Sequence, residues 1–396
     1  MTAAWTPRVQ ARTFDEVTAA IRRSRAAAGQ LRVADRAERD RALLAIADAL
    51  ESRATESAPR ASAAELREWA GTADPLGQTP RQEQRRDGAR LRQLRVPIGV
   101  IAVLFDDAPH HVLRLLGPLL KTGNAVLLRA ARHHHSAAET LVDIVREGLA
   151  TTRIPSDAVQ LISSEQRSSL RYLITARGDV DLLVPLVGPG LRATIIPEAT
   201  VPLIEVAPGK GHLYLDATAD PQLAEDIVLH CQTQPTGSGL TIDTVLVHPD
   251  IAAALLPRLG SALRRAHIHV RGDKAASAVM PDWGQVEDGD WATVHQQGQL
   301  LVAVTPGLDA AIAHIEHNGS GHTEVIITDD GQHAREFCSR VDAATVLVNT
   351  APATDTPQHR SLVYSTQRLA PRGPLGPTEL TTTKWITNLD RDTPHG

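Results

Sequence analysis

The strongest constraint on what this chain can fold into is a change of hydrophobic period near residue 96. From there to residue 187, four apolar runs of strand length follow one another: VPIGVIAVLF (96–105), NAVLLRA (124–130), AVQLIS (158–163) and DLLVPLV (181–187). The amphipathic segments HVLRLLGPLLKT, SAAETLVDIVREGLA and SSLRYLITARG lie between them. Strands apolar on both faces must be covered on both faces, and helices between consecutive strands provide the cover. The pattern predicts a doubly wound α/β sheet of parallel strands. A second alternation, TVLVHP, IAAALLPRLGSALRRA, QLLVAV, LDAAIAHIEHNG, EVIITD, HAREFCSRV and TVLVN, predicts a second α/β domain over about 240–350.

The flanks read differently. Between Thr13 and Arg53 the chain is helical, with Ala42, Leu43, Leu44, Ile46, Ala47 and Leu50 on one broad apolar face. From Gly71 to Gly88 the sequence is polar with two prolines, the signature of a loop or linker. Near the C-terminus, TTTKWITNL alternates threonine with apolar residues and suits an edge strand.

Bulk composition narrows the function classes. A net charge of −5 gives no general reason to bind nucleic acid or an anionic membrane. No apolar run approaches the ~20 residues of a membrane helix, and the start lacks the apolar run of a signal peptide. The expected location is cytoplasmic. The richness in Ala and Arg is that of a GC-rich bacterial gene. The two cysteines, Cys231 and Cys338, carry no zinc or disulfide spacing, so no metal site is expected. No GxGxxG, P-loop, HExxH or GxSxG motif is present.

Four segments carry a family resemblance: LRVPIGVIAVLFDDAPH, LKTGNAVLLR, LDAAIAHIEHNGSGHTEVIIT and STQRLAPRGPLGPTELTTTKW. Over roughly Glu38–Leu389 the chain resembles γ-glutamyl phosphate reductase, of the aldehyde dehydrogenase superfamily. The resemblance implies an aldehyde dehydrogenase-like α/β fold. Its parts would be a Rossmann-like cofactor-type domain (1–235), an α/β catalytic-type domain (236–362) and a small β oligomerisation extension with tail (363–396). It also implies a homodimer, NADPH as cofactor, and reduction of an acyl phosphate through a cysteine thioester.

The site positions depart from that pattern. Aligned without gaps from Asp216 to Asp243, the family's cysteine falls on Gly239, which has no side chain to attack a carbonyl. A one-residue shift puts Ser238 there. A serine needs a general base, and its ester is a poorer hydride acceptor, which favours acyl transfer or hydrolysis; the bland reading is a turn with a capping serine. Cys231 is either a compensating nucleophile or a small buried core residue. Asp243 keeps the acidic type of the family's glutamate, and His322 matches a family histidine with a packing or hydrogen-bonding role.

Of the cofactor loops, LRGG becomes Leu128-Arg129-Ala130-Ala131, and IPRGGAGL becomes Val184–Leu191, keeping Gly188 and Gly190. EARPN becomes Asp106-Asp107-Ala108-Pro109-His110, losing an arginine. Asp106, His110 and His133, the last within a His-His-His run, stand as positions for substrate or a new ligand against the alternative of a solvated loop.

The joint drift of nucleophile and loops beside a kept framework predicts a pseudoenzyme with no cofactor, pairing with itself or with a glutamate-kinase-like partner. The alternative is an enzyme transferring or hydrolysing an activated γ-glutamyl-type acyl group without hydride. A third reading keeps the reductase, its thiol supplied by Cys231.

Overall fold

The computed structural model describes residues 7–53, 57–205, 209–233, 242–293, 298–352, 364–367 and 372–388. They form two compact units, Met1–Glu205 with Gly376–Gly396, and Val206–Leu375.

The first unit opens with helices α1 (Pro7–Leu31), α2 (Arg36–Arg53) and α3 (Ser57–Gly71). On α2, Ala42, Leu43, Ile46, Ala47 and Leu50 are buried as their spacing predicts, whereas Leu44 is 40 % exposed and leaves that face. A hairpin follows, β1 (Arg81–Gln84) and β2 (Arg90–Pro97). The expected loop over 71–88 therefore holds a strand. All four residues of β1 are exposed, so it has no buried face and no apolar period to betray it.

Then come β3 (Val100–Phe105), α4 (Pro109–Lys121), β4 (Ala125–Ala130), α5 (His135–Ala150), β5 (Val159–Leu161), α6 (Ser168–Ile174), β6 (Leu182–Leu186) and α7 (Pro189–Glu198). The strands form a parallel sheet in the order β5-β4-β3-β6, as the four apolar runs predict. One run is divided, however. Val96–Phe105 is not a single strand, because β2 ends at Pro97 and Gly99, at φ 135°, turns the chain into a different sheet. Proline cannot donate to a ladder and only glycine adopts that φ freely.

The second unit contains β7 (Gly211–Leu215), α8 (Pro221–Thr233), β8 (Ile242–Val247), α9 (Pro249–Arg265), β9 (His269–Gly272), α10 (Lys274–Val279), β10 (Gly284–Gln285), β11 (Gln299–Val304), α11 (Leu308–Asn318), β12 (Thr323–Ile327), α12 (Gly331–Arg340) and β13 (Thr345–Val348). Its seven-stranded sheet has the order β10-β9-β11-β8-β7-β12-β13 and is parallel throughout. β7 and α8 belong to this unit, so the boundary expected at 235/236 falls inside it rather than at its start. A short antiparallel pair, β14 (Tyr364–Ser365) and β15 (Gly373–Pro374), follows.

The last strand, β16 (Thr381–Asn388), pairs antiparallel with β2 in the first unit, from Thr381 opposite Pro97 to Asn388 opposite Arg90. It is the edge strand its threonine alternation predicts.

Four consecutive buried residues tie the first unit together. The fully buried Lys121 ammonium donates to Asp40 Oδ1 of α2 (2.5 Å) and to the Ala70 carbonyl of α3 (2.9 Å). Arg39 Nε donates to the Lys121 carbonyl (2.9 Å). Thr122 Oγ1 donates to the Pro118 carbonyl (2.7 Å). Gly123 takes φ 73°. Asn124 Oδ1 then accepts the Gly99 N–H (2.9 Å), and Asn124 Nδ2 donates to the Leu380 carbonyl just before β16 (2.8 Å).

Asn124→Ala would strand a buried donor and a buried acceptor. We expect urea unfolding to show a loss of about 2–4 kcal/mol. Gln93→Ala, which removes an exposed bond to Thr383 (3.0 Å), should change stability by no more than about 0.5 kcal/mol.

Candidate functional site

In each unit the chain runs outward from a first strand in one direction and then returns to its other side. The crevice at the strands' C-terminal ends, where this reversal occurs, is the usual ligand position of an open α/β sheet. In the first unit it lies between β3 and β6.

Asp106 stands at the end of β3, and its Oδ2 accepts the Gly188 N–H at the start of α7 (2.6 Å). Pro189, the first residue of α7, has no N–H to offer. Gly190, in the first turn of α7, is exposed with open space around it. As built, this crevice presents a carboxylate where a dinucleotide phosphate needs donors, and it does not fit one. Asp107 accepts from its neighbour Ala108 and pairs with His111 Nδ1 (2.5 Å). Partial burial pushes the Asp107 carboxyl up, but these partners outweigh it and hold the carboxyl below the ordinary aspartate range. His110 stacks edge-on with His111 at 4.2 Å.

One strand over, the half-buried Arg129 donates from Nε to Ser169 Oγ (3.1 Å), and burial lowers the guanidinium to about 10. Ala130 is wholly buried within the sheet and presents no surface. His133 is exposed and lies against His134 at 4.1 Å. The structure thus brings Asp106 and Gly188 into contact, puts His110 in the first turn of α4 and Arg129 near the end of β4, and leaves Ala130 in the core.

In the second unit, Ser238 and Gly239 lie outside the described residues. Cys231 is placed: it sits on α8 within the apolar core beside Val228 and Ile242, 4 % exposed, and burial pushes its thiol up to about 12. A thiol so held stays protonated at neutral pH and meets no solute. Cys338, on α12, is exposed. His322 is buried and stacked on Tyr364 at 3.7 Å, which is a packing role.

Asp243 is buried at the start of β8, where lost hydration pushes its carboxyl up to about 7, against the Gly211 N–H and the neighbouring Lys210 and His212. Around it the sequence reading missed a group. Lys210, His212 and Glu324 are all at most 2 % exposed and cluster at the entry ends of β7 and β12. Glu324 Oε2 accepts from the His212 backbone (2.9 Å) and meets its ring Nδ1 (3.0 Å). The signal was legible as charged residues adjoining two apolar strands, GHLYL and TEVII.

At the opposite end of β7, buried Asp216 Oδ2 accepts from Thr328 Oγ1 (2.6 Å) and pairs with His333 Nδ1 (2.8 Å). The pairing with Asp216 raises the half-exposed His333 above the usual imidazole range. Its contribution to stability is therefore complete below the unfolded histidine value of about 6.5 and fades as pH rises through the folded value.

Comparison with known proteins places this geometry. A family model described as the aldehyde dehydrogenase family matches residues 2–279. The γ-glutamyl phosphate reductase of Thermobifida fusca (strain YX) is 37 % identical over 405 residues, covering 94 % of this chain and 97 % of that protein. The enzyme of the same name from Moorella thermoacetica is 37 % identical over 332 residues, covering 83 % and 79 %. The crystal structure of γ-glutamyl phosphate reductase from Thermotoga maritima superposes with a TM-score of 0.89 at 28 % identity, covering 96 % of this chain and all of that one. An acetylating aldehyde dehydrogenase from Geobacillus thermoglucosidasius, at 15 % identity and a TM-score of 0.73, shares the fold. The chain belongs to the aldehyde dehydrogenase family and, within it, to the γ-glutamyl phosphate reductases.

Two measurements test these placements. In the native protein, iodoacetamide should label Cys338 and spare Cys231, with both labelled in urea; prompt native labelling of Cys231 would contradict its burial. The stability gap between the native chain and His333→Ala should be wider at pH 5.5 than at pH 8.5 in thermal melts.

Proposed function

We propose that this chain keeps the framework of a γ-glutamyl phosphate reductase without its thiol-dependent, NADPH-driven reduction, and that it acts by binding a partner. In the reaction the family implies, a thiolate expels phosphate from the acyl phosphate and the thioester accepts hydride. The observation that carries the reading is the thiol inventory. The chain's two cysteines are a core thiol on α8 and an exposed thiol on α12, and glycine stands at the aligned nucleophile position. The β3/β6 crevice supports it, since Asp106 holds the Gly188 amide and Pro189 supplies no donor.

The retained segments include those that form β3, β4, β12 and the start of β16. The partner is a second copy, a glutamate-kinase-like enzyme, or both. Among the described residues no helix is long and apolar enough to cross a membrane.

The test is the reverse assay, in which glutamate semialdehyde, phosphate and NADP+ are followed by NADPH absorbance. We expect no turnover above the protein-free rate, and no tight NADPH binding by fluorescence titration. Turnover abolished by Cys231→Ser would overturn the proposal.

A further inference from the structure

The cluster at the entry ends of β7, β8 and β12 does more than the fold requires. Lys210 Nζ, His212 Nε2, Asp243 Oδ2 and Glu324 Oε1 all belong to residues at least nine-tenths buried, yet none of these atoms has a hydrogen-bond partner among the described residues. Buried polar atoms are nearly always satisfied, and a group of unsatisfied ones marks stored strain or chemical purpose. The group is mixed: one amine, two carboxyls and an imidazole. His314 faces His212 at 5.6 Å between ring centres and also has an unpartnered buried Nε2. Among the described residues no three His, Cys, Asp or Glu side chains are disposed to hold a metal ion.

We propose that Lys210 is a reactive amine that captures a small aldehyde as an imine, with Asp243 as its proton donor. The Nζ lone pair adds to the carbonyl carbon, and the first of its two N–H protons passes to the carbonyl oxygen to give a carbinolamine. Loss of hydroxide, protonated by the Asp243 carboxyl as it leaves, releases one water and forms the C=N bond. The second N–H proton passes to the resulting Asp243 carboxylate and restores the acid, so the step consumes no oxidant or reductant.

The environment suits both roles. Burial lowers Lys210 below the ordinary lysine range, against the opposing charges of Asp243 and Glu324, and so favours the free amine. Asp243, pushed up to about 7, is partly protonated at neutral pH and can donate. The charged and titratable groups around this pair are His212 on β7, Glu324 on β12 and His314 on α11. Burial and the neighbouring His212 lower His314 to about 4, which keeps it neutral. This capture is independent of hydride transfer, so it stands or falls separately from the proposed loss of reduction.

The sequence makes the test clean, because Lys121, Lys210, Lys274 and Lys384 are its only lysines. Lys121 is tied to Asp40 and Ala70, while Lys274 and Lys384 are exposed. The full chain would be incubated with propanal at pH 7, reduced with borohydride and peptide-mapped by mass spectrometry. We expect the propyl adduct chiefly on the Lys210 peptide, accumulating slowly because the amine is enclosed, and at least tenfold more slowly in Asp243→Asn. At pH 10 the exposed lysines should react as well. The mapping to Lys210 uses the unaltered chain, so that part of the test does not depend on a variant folding. Adducts on Lys274 and Lys384 with none on Lys210 at pH 7, or an unchanged rate in Asp243→Asn, would overturn the proposal.

Discussion

The first unit depends on the anchoring of residues 121–124. Lys121 is a fully buried cation, which is tolerable only because Asp40 and two-sided hydrogen bonding compensate it. Asn124 does comparable work for the backbone by bonding the Gly99 amide and the Leu380 carbonyl. Those two groups lie where β3 begins and just before β16. The α2–α3 helical layer, the core sheet and the returning edge strand therefore meet on four consecutive residues. Asp181 completes the junction by accepting the Val100 N–H (2.8 Å) and pairing with Arg25 (2.6 Å). A Cβ at Gly99 would lie 2.2 Å from Asp181 Oδ2, so glycine is needed there for space as well as for φ.

The second unit places its polar residues differently. At the exit ends of β7 and β12, Asp216 is buried but saturated by Tyr214, Thr328 and His333, and its carboxyl stays below the ordinary range despite the upward push of burial. At the entry ends, Asp243 is buried with one oxygen unpaired, and its carboxyl rises. The same residue type in the same sheet is driven in opposite directions by the number of donors each can reach.

Family membership and site chemistry rest on different observations in this protein. Its relatives share the framework across nearly the whole chain, and the fold follows. Chemistry depends on individual atoms, which identity over hundreds of residues does not preserve. Cys231 is an example: it lies eight residues before Gly239, and its helix turns it into the core.

Sequence alone determined both α/β layers, because strands buried on both faces must carry apolar runs, as 100–105, 125–128 and 245–247 are. It also determined that position 239 carries no thiol. It did not reveal β1, whose exposed residues leave no periodicity, or the break at Gly99, where the apolar run continues although the backbone changes sheets. Nor did it reveal that Lys210, His212, Asp243 and Glu324 form one group. They are spread over more than a hundred residues, and only the parallel pairing of β8, β7 and β12 brings their strands side by side. Local pattern records which face of an element is buried, whereas the partners of a buried charge are set by strand order, which is a property of the whole chain.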